Sequence, residues 1–146
     1  MTVKSKGVSE EPRRAPGPDF ISLSDDYLAV GLAATDEKIQ ELLGGDAPLV
    51  NELFSYAAAA RGKRLRSRLT LLSAASNTPR EHLYDVAACA ECIHLATLLH
   101  DDVIDGAKMR RGRPSVARQF GNRLSILGGD YLIARVFYHL SKRVRD

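Results

Sequence analysis

An antiparallel bundle of α-helices is the architecture this chain predicts, and three observations predict it. Helix-start and helix-stop residues recur along its length, no segment shows a convincing alternating strand pattern, and there is no internal repeat. Taken in order, Ser24 caps a first helix that reaches Leu43 and stops at Gly44-Gly45. Asp46, followed by Pro48, opens a second helix through Ala60, and Gly62 to Ser76 reads as a third. Thr78-Pro79-Arg80-Glu81 combines an N-cap, a proline at N1 and a capping-box glutamate, so a long fourth helix runs to Asp105. Pro114 starts a short helix, and Asp130 to Val144 forms the last. In such a bundle a site is built between facing helices.

Composition narrows the class. With 146 residues, 45% hydrophobic and 27% charged, the chain is long enough for one domain. A net charge of +3 suits anionic substrates without calling for nucleic acid. Residues 1–19, rich in charge, glycine and proline, read as a disordered leader and lack the apolar core of a signal peptide. No apolar run approaches the length of a transmembrane helix, which makes the cytoplasm the default location. Cys89 and Cys92 form a C-x-x-C in mid-helix, away from the helix start that favours a thiolate, and read as two buried small residues.

The chemistry concentrates in residues 100–114. Asp101, Asp102 and Asp105 occupy about one helical turn, and Arg110-Arg111 follow. Carboxylates suit a hard cation and arginines suit a phosphate, so the combination points to a magnesium-bridged phosphate ester. Asp101 and Asp105, at i and i+4, share a face about 6 Å apart along the axis, whereas Asp102 points roughly 100° away. His94, Thr97, Asp101 and Asp105 form one polar stripe, beside Ala87, Ala90, Ile93 and Leu98, which read as core-facing. The second basic cluster, Arg61 to Arg68, places Lys63 and Arg66 on one face, where they can serve a second phosphate; Arg64 and Arg68 fall on another, solvated or intersubunit.

Five motifs occur in order: Gly62-Lys63-Arg64-Leu65-Arg66, Glu91-Cys92-Ile93-His94, His100-Asp101-Asp102-x-x-Asp105, Met109-Arg110-Arg111-Gly112, and Gly129-Asp130. Together they resemble the amino-terminal half of the trans-isoprenyl (polyprenyl) diphosphate synthase family, over about residues 61–137. The resemblance implies an isoprenoid-synthase helical bundle, with residues 20–146 forming its amino-terminal half. It implies that Asp101, Asp102 and Asp105 bind Mg²⁺ and, through it, an allylic diphosphate, which Arg110 also binds. Lys63, Arg66, His94 and Arg111 match the ligands of isopentenyl diphosphate.

Two departures accompany the match. Ser67 stands where many family members have proline, and the chain carries no second Asp-Asp-x-x-Asp, which the family places in its other half. The expectation is that the isolated chain is inactive, and that it self-associates as a homodimer or binds a complementing half. The implied reaction is ionisation of the allylic diphosphate followed by alkylation of isopentenyl diphosphate, in an interior that excludes water. Ala96 and Thr97 are small where bulky aromatics would form a floor, so a medium or long product is expected. The spacing within the aspartate motif also resembles that of bacterial long-chain, octaprenyl-type synthases, whose products become quinone side chains. Two other classes stay open: an incomplete or noncatalytic subunit that binds prenyl diphosphate or a partner, and a metal phosphohydrolase built on His100-Asp101.

Overall fold

The computed structural model describes residues 20–59, 62–73 and 80–143. Six helices carry the chain: α1 (Phe20–Leu43), α2 (Pro48–Ala59), α3 (Leu65–Ser73), α4 (Arg80–Ile104), α5 (Val116–Phe120) and α6 (Asn122–Arg143). The leader expected at residues 1–19, the third helix's end at Ser76 and the Thr78-Pro79 start lie outside the described residues. A short antiparallel pair, β1 (Met109–Arg110) with β2 (Arg113–Pro114), is inserted before α5.

Helix α4 is the spine, packed against α1, α3, α5 and α6. Its small residues Ala88, Cys89, Cys92 and Ala96 are buried, and they let Leu42, Phe54, Leu132 and Val136 of the neighbouring helices close around it. A smaller cluster of Leu28, Leu71 and Leu83 joins α1, α3 and α4. Burial pushes the thiols of Cys89 and Cys92 up to about 11 and about 12, so both are packing groups and not nucleophiles.

Helix ends follow local chemistry. Gly106, at φ 60°, closes α4: its N–H donates to the Val103 carbonyl and that of Ala107 to the Asp102 carbonyl, a Schellman pattern. Arg135 of α6 donates to the Glu41 carbonyl at 2.9 Å, placing a cation at the C-terminal end of α1. Ser115, rather than Pro114, caps α5 by accepting from the Arg118 N–H. Three other sequence expectations change. Helix α3 begins at Leu65 and not at Gly62, because Arg64 takes a positive φ of 49°, so Lys63 precedes the helix that carries Arg66. Helix α1 begins before Ser24, which is therefore not its cap, and α6 begins at Asn122, eight residues ahead of Asp130.

The early start of α6 follows from packing. Gly128 and Gly129 lie inside it and give its neighbours a close approach: a Cβ on Gly129 would collide with the His100 ring of α4, and one on Gly128 would stand 3.0 Å from Leu53 of α2. Ser125 Oγ donates to the Leu99 carbonyl at 2.8 Å in the same contact. Gly129→Ala should therefore destabilise the chain by about 1–3 kcal/mol through overpacking. His100→Ala in the same chain should recover part of that loss, measured as coupling in a double-mutant denaturation cycle.

Candidate active site

A cleft of about 640 Å³ opens between α3, α4 and the β1–β2 hairpin. Lys63 and Arg66, His94 and Asp102, and Arg110 and Arg111 all line it. Six of the residues the sequence singles out, from three separate segments, thus line one cleft.

The hairpin brings the arginine pair there. Arg110 pairs with Arg113, which leaves Arg111-Gly112 as a two-residue loop, and both have positive φ, at 49° and 78°. That is the backbone of the primed turns that suit tight hairpins. Glycine takes it freely; Arg111 does so under strain, a condition typical of functional positions. Tyr56 of α2 clamps the hairpin base. Its hydroxyl donates to the Pro114 carbonyl at 2.9 Å, and the Arg113 guanidinium lies 4.4 Å from its ring centroid.

The three aspartates separate. Asp102 is 2% exposed, and its Oδ1 accepts from Arg110 Nε at 2.8 Å. Asp101 and Asp105 are exposed. Among the described residues no three carboxylate, imidazole or thiol groups gather into a metal cluster. Two open carboxylates a helical turn apart fit Mg²⁺, which keeps waters and takes phosphate oxygens in preference to an all-protein cage.

The rest of the polar stripe is more open than expected. Ile93 is 43% exposed, Thr97 is exposed, and Leu98 is half-buried against the cleft. Ala96, by contrast, is fully enclosed in the core. The stripe's face is thus left without cover by the described elements, whereas the sequence placed it in apolar surroundings. Of the remaining cations, Arg64 turns to α1 and pairs with Asp36 at 2.7 Å, so it does not lie on a purely solvated face. His100 binds α6: its Nε2 lies 3.2 Å from the Ile126 carbonyl and 3.3 Å from Asp130. That use as a packing group disfavours a phosphohydrolase pair with Asp101.

Sequence reasoning missed Tyr56, for which no local signal exists, and the hairpin, whose signal was the Arg-Gly pair between two short segments. It also left Glu91 without a role. Glu91 Oε1 accepts from both the N–H and the Oγ of Ser67.

His94 is held below 6.5, first by burial and then by Arg66, with Arg110 and Arg111 adding to the effect and Glu91 opposing it. Helical bundle and cation-lined cleft define a protein of the isoprenoid-synthase type. The polyprenyl synthetase family model matches residues 47–145, and the chain belongs to that family. It is 39% identical over 112 residues to the all-trans-nonaprenyl-diphosphate synthase (geranyl-diphosphate specific) of Rhodobacter capsulatus, covering 75% of this chain and 34% of that protein. With the octaprenyl diphosphate synthase of Escherichia coli K12 the identity is 38% over 114 residues, covering 77% of this chain and 35% of that protein. Its fold matches the crystal structure of a Caulobacter crescentus polyprenyl synthase complexed with calcium and isoprenyl diphosphate. The TM-score is 0.73 at 33% identity, over 90% of this chain and 39% of that one. The chain spans about a third of the length of these curated relatives.

The lowered His94 pKa has a testable sign. The imidazole is neutral at pH 7 in the free chain, and acid below 6.5 charges it beside Arg66, Arg110 and Arg111, which costs stability. An anion in the cleft reverses that balance. Titration by NMR should give a His94 midpoint below 6.5 in the free chain and a higher one with inorganic pyrophosphate, whose affinity should rise as pH falls.

Proposed function

We propose that this chain contributes the first aspartate motif and the isopentenyl-diphosphate cleft of a long-chain polyprenyl diphosphate synthase. The observation that carries this reading is the gathering of Lys63, Arg66, His94 and Arg111 in one cleft, with Arg110 between them and the aspartates. Four nitrogen donors around one opening suit a diphosphate with two to three negative charges, and the guanidinium groups bind its oxygens directionally.

Asp101 and Asp105 would hold Mg²⁺, while Asp102, which the sequence grouped with them, stays paired with Arg110 and orients it. The metal, when bound, supplies positive charge to the allylic diphosphate as its C–O bond breaks. Arg110, held by Asp102 through its Nε, would offer its remaining N–H groups to that leaving group. Lys63, Arg66, His94 and Arg111 hold the second diphosphate so that its double bond meets the allylic carbon. A new C–C bond forms there, and loss of a proton restores neutrality at carbon. Released diphosphate is the proton acceptor this reading favours.

The tail of the growing product would run from Asp101 along α4 toward its N-terminus. Thr97 lies on that open face, whereas Ala96 is enclosed by the core and has no room for a larger side chain. The long-chain relatives support a tail that meets no aromatic floor at this depth. Leu65, Leu69 and Leu72 form an exposed apolar row on α3, which favours a homodimer or a complementing polypeptide as cover. No helix among the described residues is long and apolar enough to cross a membrane. The second reading, a noncatalytic subunit that binds prenyl diphosphate, is favoured by only two of the three aspartates being open. Steady incorporation of labelled isopentenyl diphosphate separates the two.

In the assembled synthase, Asp101→Ala should cut turnover by about 10²–10³-fold, as expected for a group that stabilises leaving-group charge. Arg111→Ala should mainly raise the KM for isopentenyl diphosphate, by about tenfold or more. Equal effects on both parameters in both variants would reverse the assignment. Thr97→Phe should shorten the product by several isoprene units, read by chromatography of the dephosphorylated alcohols; an unchanged length would place the tail elsewhere.

A further inference from the structure

A carboxylate in a cleft lined by cations and suited to an anion is unfavourable for binding unless it performs another task. Glu91 of α4 lies in that position, half-buried among Lys63, Arg66 and Arg111. Its Oε1 accepts from the Ser67 N–H at 3.1 Å and from the Ser67 Oγ at 3.2 Å. Ser67 is fully buried and is the third residue of α3.

An N–H at that place in a helix has no intrahelical carbonyl to bond. A side chain just ahead of the helix commonly supplies the acceptor. Here the preceding residue is Arg64, at φ 49°, with its side chain drawn away to Asp36. The acceptor therefore comes from another helix, and it carries a full negative charge, which the positive end of the α3 dipole favours. Proline at position 67 would offer neither donor, so the contact depends on this chain's serine.

We infer that Glu91 is a positioning residue: by capping α3 through Ser67 it fixes Lys63 and Arg66 relative to His94, one turn further along α4. Arg66 adjoins Ser67 in sequence, Lys63 lies just ahead of the helix, and His94 is three residues after Glu91. One contact thus sets the distance between the cations of one helix and the imidazole of the other. The role rests on the reading of the cleft as a diphosphate site, since that is what the spacing serves.

Glutamine at 91 keeps an acceptor oxygen for both Ser67 donors and removes the charge; alanine removes both. Calorimetric titration of this chain with inorganic pyrophosphate should show affinity reduced about tenfold in Glu91→Ala, as for a lost charged cap, with Glu91→Gln recovering most of it. Were the carboxylate only a source of repulsion, both variants would bind more tightly, and that result overturns the proposal. So does an equal loss in both. Ser67→Ala, which keeps the N–H and loses the hydroxyl, should fall between unaltered chain and Glu91→Ala, and it serves as the test if Glu91→Ala does not fold.

Hydrogen exchange at the Ser67 amide reads the contact without any ligand. Protection should hold in Glu91→Gln and fall in Glu91→Ala; equal protection in the two overturns the cap. If the unaltered chain binds no pyrophosphate, the diphosphate reading fails, while the exchange data still decide whether Glu91 holds α3.

Discussion

The buried Asp102 carboxylate is the constraint around which this site is arranged. A charge that is 2% exposed at the end of α4 must be matched, because an uncompensated buried carboxylate costs several kcal/mol. Arg110 matches it at 2.8 Å, and to do so the chain after Gly106 must turn back on the helix it has just left. Gly106 makes that reversal, and Arg110 then sits on β1, the first strand of the hairpin. Its two-residue loop then carries Arg111 to the cleft, where the guanidinium lies over Gly62, close enough that a Cβ there would stand 2.9 Å from Nη1. One ion pair thus couples the helix end, the hairpin and the approach to α3.

The second organising element is the periodicity of α4. Residues about 100° apart in sequence order face different neighbours. His94, Leu98 and Asp102 point toward the cleft, Ala88, Cys92, Ala96 and Leu99 enter the core, and His100 reaches α6. Thr97, Asp101 and Asp105 are left exposed. A single helix therefore serves packing with one face and, on the proposed reading, would serve phosphate recognition and metal chemistry with others, so that none of the three moves without shifting the rest.

Much of this was legible because helix periodicity and capping are local. The division of Asp101 and Asp105 from Asp102 follows from spacing alone, and Gly106 was readable as the stop of α4. The hairpin offered only its Arg111-Gly112 turn as a signal, since two residues per strand are too few to alternate. The last helix was expected to begin at Asp130, yet it runs through Gly128-Gly129, whose lack of side chains is what lets α6 pass close to His100. Tertiary contact overrode a local preference there. Glu91, Ser67 and Tyr56 were silent for a related reason: their partners lie 24 or 58 residues away, and no spacing within one helix announces them.

The cleft of the free chain is held in an unfavourable electrostatic state. Lys63, Arg66, Arg110 and Arg111 face one opening, and the acidic residues that line it with them are Asp102 and Glu91, each committed to a partner of its own. His94, through its burial first and this field second, gives up its proton more easily. Arg64 and Arg111 add backbone strain at φ 49° each. Repulsion and strain of this kind persist only because the surrounding core fixes the backbone, and an anion entering the cleft relieves the repulsion. Binding energy is then gained without reorganising the protein, since the donors are already in place. On the proposed reading the rigidity of α4 and its buried contacts is therefore part of the recognition chemistry, because a looser core would let the cations separate and lose the preorganised charge.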